Sequence, residues 1–109
     1  MEAMKKHDEI TFQRELLVEA SRWENVGMIH RLQSGLFFTS NGTPIRVGFE
    51  GLSDVCGIRK DGRAFYLELK APNGTVTREQ HHFLEVVRDT NGLAGVARSI
   101  EEAKRIIDG

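Results

Sequence analysis

Cysteine and net charge are scarce in this chain, and long apolar runs are missing from it. A single cysteine, Cys56, rules out a disulfide framework and a cysteine-rich zinc site. It lies within a short apolar segment, where a lone thiol reads as a small buried hydrophobe rather than a nucleophile. The formal net charge of −1 gives no bulk attraction to nucleic acid, so any such binding must come from a local basic patch. No apolar stretch approaches the roughly 20 residues of a membrane span. Met1 to Asp8 is too polar for a signal peptide, so a cytoplasmic protein without membrane contact is expected. Internal repeats, low-complexity segments, a Ser-His-Asp order, a P-loop and a dinucleotide fingerprint are all absent. What remains is 109 residues, 39% hydrophobic and 28% charged. That suits one globular domain over residues 1–109, with no room for a second.

The informative stretch is Gly51-Leu52-Ser53-Asp54, followed by Phe65-Tyr66-Leu67-Glu68-Leu69-Lys70. Phe65, Leu67 and Leu69 alternate with Tyr66, Glu68 and Lys70, so on a strand Glu68 and Lys70 share a face. Val55-Cys56-Gly57-Ile58 reads as a second strand, and Lys60-Asp61-Gly62-Arg63 carries the Asp-Gly hairpin signal. Antiparallel pairing about that turn brings Asp54 and Glu68 to the same open end. Two carboxylates brought together beside a lysine are costly unless a cation sits between them. That favours a hard, oxygen-preferring ion such as Mg2+ or Mn2+.

The rest of the chain supplies layers around this hairpin. Asp8 can cap a helix over about Glu9 to Arg22, with Ile10, Leu16, Leu17 and Ala20, and Phe12 or Gln13, as its apolar face. Strands are expected at Val26–Leu32, Leu36–Thr39 and Ile45–Phe49, with glycines at 48 and 51 where the backbone must bend. Thr77 with Gln80 forms a capping-box pattern for a helix from Arg78 to Asp89, burying Phe83, Leu84, Val86 and Val87 and stopping at Asn91-Gly92. A strand at Leu93–Ala97 and a helix capped by Ser99, with Glu102 three residues on, complete an α/β layer fold with a mixed sheet.

In order, Glu9-x-x-x-Gln13, Arg31-x-x-Ser34-Gly35, Gly51-x-x-Asp54, Glu68-x-Lys70, Gln80 and Gly92 resemble the pattern of the VRR-NUC domain, a virus-type replication-repair branch of the PD-(D/E)xK nucleases. One position departs: the family's proline before the motif aspartate is Ser53 here. The resemblance implies a restriction-endonuclease-like core, with a mixed central sheet flanked by helices. It implies Asp54, Glu68, the Leu69 carbonyl and Glu9 around Mg2+ or Mn2+, with Asp54, Glu68, Lys70 and Gln80 as the catalytic set. Lys70 would position or deprotonate the attacking water, and Gln80 would orient water or contact phosphate. It also implies a homodimer cutting branched or junction DNA, of phage or bacterial origin.

Each residue has a plainer alternative. Glu68 and Lys70 could be a solvated surface pair worth under about 1 kcal/mol. Glu9 could simply favour the helix dipole, and Gln80 could only cap. Glu15 and Glu50 rank below Glu9 as third carboxylates. His30, His81 and His82 read as structural or surface residues, since helix neighbours point about 100° apart and His81 and His82 cannot share one ion. Trp23 reads as core or lid. Lys5 and Lys6 could approach an anion, and Arg31, Arg46, Arg59, Lys60, Arg63 and Arg78 are candidates for DNA contact. A flap, nick or single-strand nuclease, a catalytically silent binding module and a subunit of a replication complex remain as rivals.

Overall fold

The computed structural model describes residues 6–109; the expectation for Lys5 lies outside the described residues. Helix α1 spans Lys6–Ala20. It begins before Asp8, which is therefore its third residue and not its cap, and it ends two residues short of Arg22. Phe12, Leu16 and Ala20, spaced four apart, form the buried stripe, with Leu17 packed beside them. Phe12, not Ile10, completes that face. Ile10 is 42% exposed and turns towards a pocket described below.

Five strands follow: β1 Val26–Arg31, β2 Gly35–Phe38, β3 Pro44–Val47, β4 Val55–Arg59 and β5 Ala64–Leu69. After them come α2 Arg78–Asp89, β6 Leu93–Ala97 and α3 Ile100–Asp108. The main sheet has the order β1-β4-β5-β6, while β2 and β3 pair only with each other. β4 pairs antiparallel with β1 and β5, and β5 pairs parallel with β6 through the α2 crossover. The expected mixed sheet is thus present, four strands wide.

Side-chain alternation along β5 sorts the two faces. Phe65 and Leu67 point into a core shared with Val55 of β4, Leu93 and Ala97 of β6, α1, and Ala103 and Ile107 of α3. Removing such a side chain, as in Leu67→Ala, costs about 2–5 kcal/mol. Gly57 faces the same layer because an added Cβ would overlap the Phe65 ring. Tyr66 points the other way and meets Phe83 of α2 edge-on, with ring centroids 5.2 Å apart. Helix α2 buries Leu84 fully and Phe83 and Val87 in part. Val86, expected inside, is 48% exposed. Trp23 packs against the core with Lys104 Nζ 5.6 Å from its ring centroid, which makes it a flank of the core and not a lid.

Both helix caps form. Thr77 accepts from the Gln80 amide, and the Gln80 side chain reciprocates to the Thr77 amide. Ser99 accepts from the Glu102 amide, whereas the Glu102 carboxylate reaches one residue further back, to the amide of Arg98. Asn91, at φ 72°, ends the α2 segment in the left-handed region.

Candidate active site

The register of the β4–β5 hairpin builds the site. Val55 pairs with Leu67, so the residues just beyond, Asp54 and Glu68, face one another at the open end. The main chain holds Asp54 there: its amide donates to Leu67 O, and Leu32 donates to its carbonyl at 2.7 Å. Its Oδ2 accepts from the Leu69 amide at 2.8 Å. Ser53, where the expected pattern has proline, is buried and donates to Val55 O at 3.2 Å, so a side-chain hydrogen bond braces the approach to Asp54. Gly51, at φ +90°, lies against the main chain of Glu79, where any Cβ would overlap.

Glu68 is 3% exposed. Its Oε1 accepts from Gln80 Nε2 at 3.0 Å and lies 3.8 Å from Lys70 Nζ. Its Oε2 is buried with no hydrogen-bond partner. Burial, and next the adjacent Asp54 carboxylate, push Glu68 up to about 8 against the pull of Lys70. Gln80 serves two purposes, since its amide oxygen completes the α2 cap at Thr77 while its amide nitrogen holds Glu68.

These side chains line one cavity of about 330 Å³, together with Glu9, Ile10 and Gln13 of α1 and Leu69 of β5. Among the described residues, no three His, Cys, Asp or Glu side chains gather as a ready-made metal shell. The donor set nevertheless suits a hard cation. It contains two converging carboxylates, one with a buried oxygen that nothing in the protein satisfies.

A family model described as the VRR-NUC domain matches residues 8–101. The chain belongs to the VRR-NUC family. It is therefore a nuclease domain of the PD-(D/E)xK type, with the restriction-endonuclease-like fold that this family has, and DNA is the partner such a domain implies. Comparison with curated proteins gives no match.

Within this VRR-NUC domain the other candidates separate. Glu15 lines a different cavity beside Arg98, and Glu50 lines one beyond α2, so of the three rival carboxylates only Glu9 reaches the acid pair's pocket. Arg31 ends β1 opposite Val55, at the same end as Asp54, and Arg78 opens α2. Arg46 sits on the separate β2–β3 pair. Lys60 and Arg63 do not join them. They occupy the β4–β5 turn, about 20 Å from the open end at roughly 3.3 Å per strand residue. Arg63 Nε donates to Asn91 O, and Arg59 is tied to Asp61 and to the carbonyl of Ile107. His81 pairs with Glu85 at the surface. His30 Nε2 lies 3.4 Å from Cys56 Sγ, so the thiol does have a neighbour, on the sheet face away from the core.

One contributor escaped the sequence reading. Arg98 donates to the carbonyls of Ala71 at 2.5 Å and Gly74 at 2.9 Å, gripping the loop that joins Lys70 to α2 and hence to Gln80. The only local hint is an arginine between a strand end and the Ser99 cap, because its partners lie 24 to 27 residues away.

Proposed function

We propose that this VRR-NUC domain is a Mg2+- or Mn2+-dependent DNA endonuclease that hydrolyses phosphodiester bonds in branched DNA. The observation that carries the reading is the pairing of half-buried Asp54 with buried Glu68, whose Oε1 lies 3.8 Å from Lys70 Nζ while its Oε2 has no hydrogen-bond partner. In this reading Asp54, Glu68 and the Leu69 carbonyl hold the cation, and Glu9, from across the pocket, completes its shell directly or through water. A bound divalent ion supplies Lewis acidity to the scissile phosphate and to water. Lys70 orients or deprotonates the attacking water and balances phosphate charge. Gln80 keeps Glu68 aimed into the pocket. Arg31 and Arg78, at the same end of the sheet, take flanking phosphates.

A chain of this size carries one such pocket, and symmetric cutting of a four-way junction needs two. A two-fold homodimer supplies them. A phage or bacterial replication-repair role follows from the family resemblance alone.

The test is cleavage of a labelled four-way junction against linear duplex and flap DNA, with Mg2+, Mn2+ or EDTA and Lys70→Ala as control. Paired symmetric cuts that require metal and vanish in the variant support a dimeric junction resolvase. Metal-dependent cutting confined to flaps or single strands removes the resolvase and keeps the nuclease. Tight binding without cutting, indifferent to metal and to Lys70, leaves a binding module.

A further inference from the structure

Across the first turn of α2 from Glu68 lies a second cavity, of about 580 Å³. Phe49, Phe83 and Val86 form its apolar wall, and Glu50, Arg78, Glu79 and His82 stand at its rim. The aromatic wall runs back into the sheet. Phe49 tilts against Phe83 with centroids 5.5 Å apart, and Phe83 meets Tyr66 at 5.2 Å. Tyr66 is two residues before Glu68 and therefore on the same face of β5. Three rings thus lead from beside the acid pair to Phe49, which is 51% exposed. The segment bearing Phe49 is held by its flanking glycines. Gly51 fits against the Glu79 main chain and Gly48, at φ +68°, against Ser34 and Leu52.

Three features narrow the occupant. A half-exposed phenyl ring over an apolar floor suits a flat aromatic group. The rim places one arginine, Arg78, at a helix N-terminus, where phosphate is favoured, beside two carboxylates, Glu50 and Glu79, that accept from neutral donors such as exocyclic amines. The two cavities also share a wall, for Arg78 and Glu79 border this one and Gln80 the acid pocket. A nucleotide here is placed to continue into a strand whose phosphate meets the acid pair.

We infer that this cavity receives one unstacked nucleobase of the substrate strand, with Phe49 as the stacking platform and Arg78 on the adjoining phosphate. The inference rests on the nuclease reading and adds a substrate class to it: DNA with an unpaired nucleotide at the cleavage point. In continuous duplex every base is already paired and stacked, and extruding one is costly. At a flap, a branch or a single strand that cost is small.

The test uses the full chain and oligonucleotides carrying 2-aminopurine at an unpaired position, alongside matched duplex. The variants are Phe49→Ala, Phe49→Trp and Val86→Trp, the last filling the cavity from a half-exposed helix position while keeping Phe49 itself. In EDTA the wild-type protein quenches the unpaired fluorophore; Phe49→Ala and Val86→Trp lose the quenching and Phe49→Trp keeps it. With Mn2+, the ratio of cleavage on unpaired-nucleotide DNA to cleavage on duplex falls about 5- to 100-fold in Phe49→Ala and Val86→Trp and persists in Phe49→Trp. An unchanged ratio in Phe49→Ala and Val86→Trp, or no quenching by the wild-type protein, overturns the inference while metal-dependent cleavage keeps the nuclease. Quenching that depends on Phe49 in a protein that cuts nothing does the reverse, leaving a nucleobase site and removing the nuclease.

Discussion

Two carboxylates on the same hairpin, Asp61 at its turn and Glu68 at its open end, are driven to opposite extremes. The Arg59 guanidinium, and then the Arg63 amide, hold the exposed Asp61 down to about 2. Burial and the neighbouring Asp54 carry Glu68 up to about 8. The turn is rich in charge, yet water or a partner reaches each group. The open end has fewer charges and leaves one buried oxygen unanswered. A displaced carboxyl beside a lysine in a cavity marks a candidate site, and in the proposed function a cation completes this costly arrangement. Under that reading unsatisfied burial, and not density of charge along the chain, points to the chemistry.

The contrast is broken most severely at the open end. Asp54→Asn or Lys70→Ala should lower single-turnover DNA cleavage by about 10³-fold or more. Thermal melting should show the fold intact, because neither side chain belongs to the hydrophobic core. Cleavage within tenfold of wild type in both variants would move the chemistry elsewhere.

Glu68 gives the contrast a pH signature. Its unfolded value is near 4.5 and its folded value about 8. Between these limits the folded metal-free protein binds more protons than the unfolded chain. Stability in EDTA should therefore fall as pH rises from 4.5 to 8 and level off above. Glu68→Gln should abolish cleavage, remove that slope and stabilise the metal-free protein above pH 8. The gain should be on the order of 1–3 kcal/mol, below what the whole shift implies because the cavity is open to solvent. Urea titrations at pH 5, 7 and 9 measure it. Cation affinity should rise over the same pH window, since the metal needs the ionised carboxylate.

Gln80 lies between the extremes because it serves both fold and site. Gln80→Ala removes half of the capping box, at about 1 kcal/mol, and frees Glu68 to turn, at about tenfold in cleavage. Gln80→Glu keeps the cap geometry but sets a third carboxylate against Glu68. It should melt near wild type and cut worse than the alanine variant, a split that separates the two roles.

Much of this could be read from the chain, for identifiable reasons. Period-two alternation and an Asp-Gly turn fix the register that joins Asp54 to Glu68, and the Thr77–Gln80 and Ser99–Glu102 spacings mark both caps. These are local signals. What failed was long-range or three-dimensional. Ile10 and Phe12 both fit a helical apolar face, and only the position of α1 on the sheet decides that Phe12 is the one buried. Lys60 and Arg63 are near the acid pair in sequence, but a hairpin sends its turn to the far end of the strands, away from Asp54 and Glu68. The grip of Arg98 on the 71–74 loop depends on β6 lying beside β5, which no neighbour in sequence announces.

The smallest effects are expected at the turn, where the comparison is sharpened by what does not change. Arg59→Ala removes the partner of Asp61 and a tie to the last turn of α3. Cleavage at neutral pH should stay within about threefold of wild type, the size of effect left to a surface charge remote from the chemistry. The difference should appear in acid. Because Asp61 sits at about 2 when folded and 3.8 when unpaired, its contribution is present above pH 3.8 and lost as pH falls towards 2. The stability gap between wild type and Arg59→Ala should thus narrow as pH falls from 5 towards 2, leaving only the part due to the carbonyl tie to α3. If Arg59→Ala instead cut DNA as poorly as Lys70→Ala, the turn would belong to the site, and satisfied charge would no longer separate the scaffold of this hairpin from its chemistry.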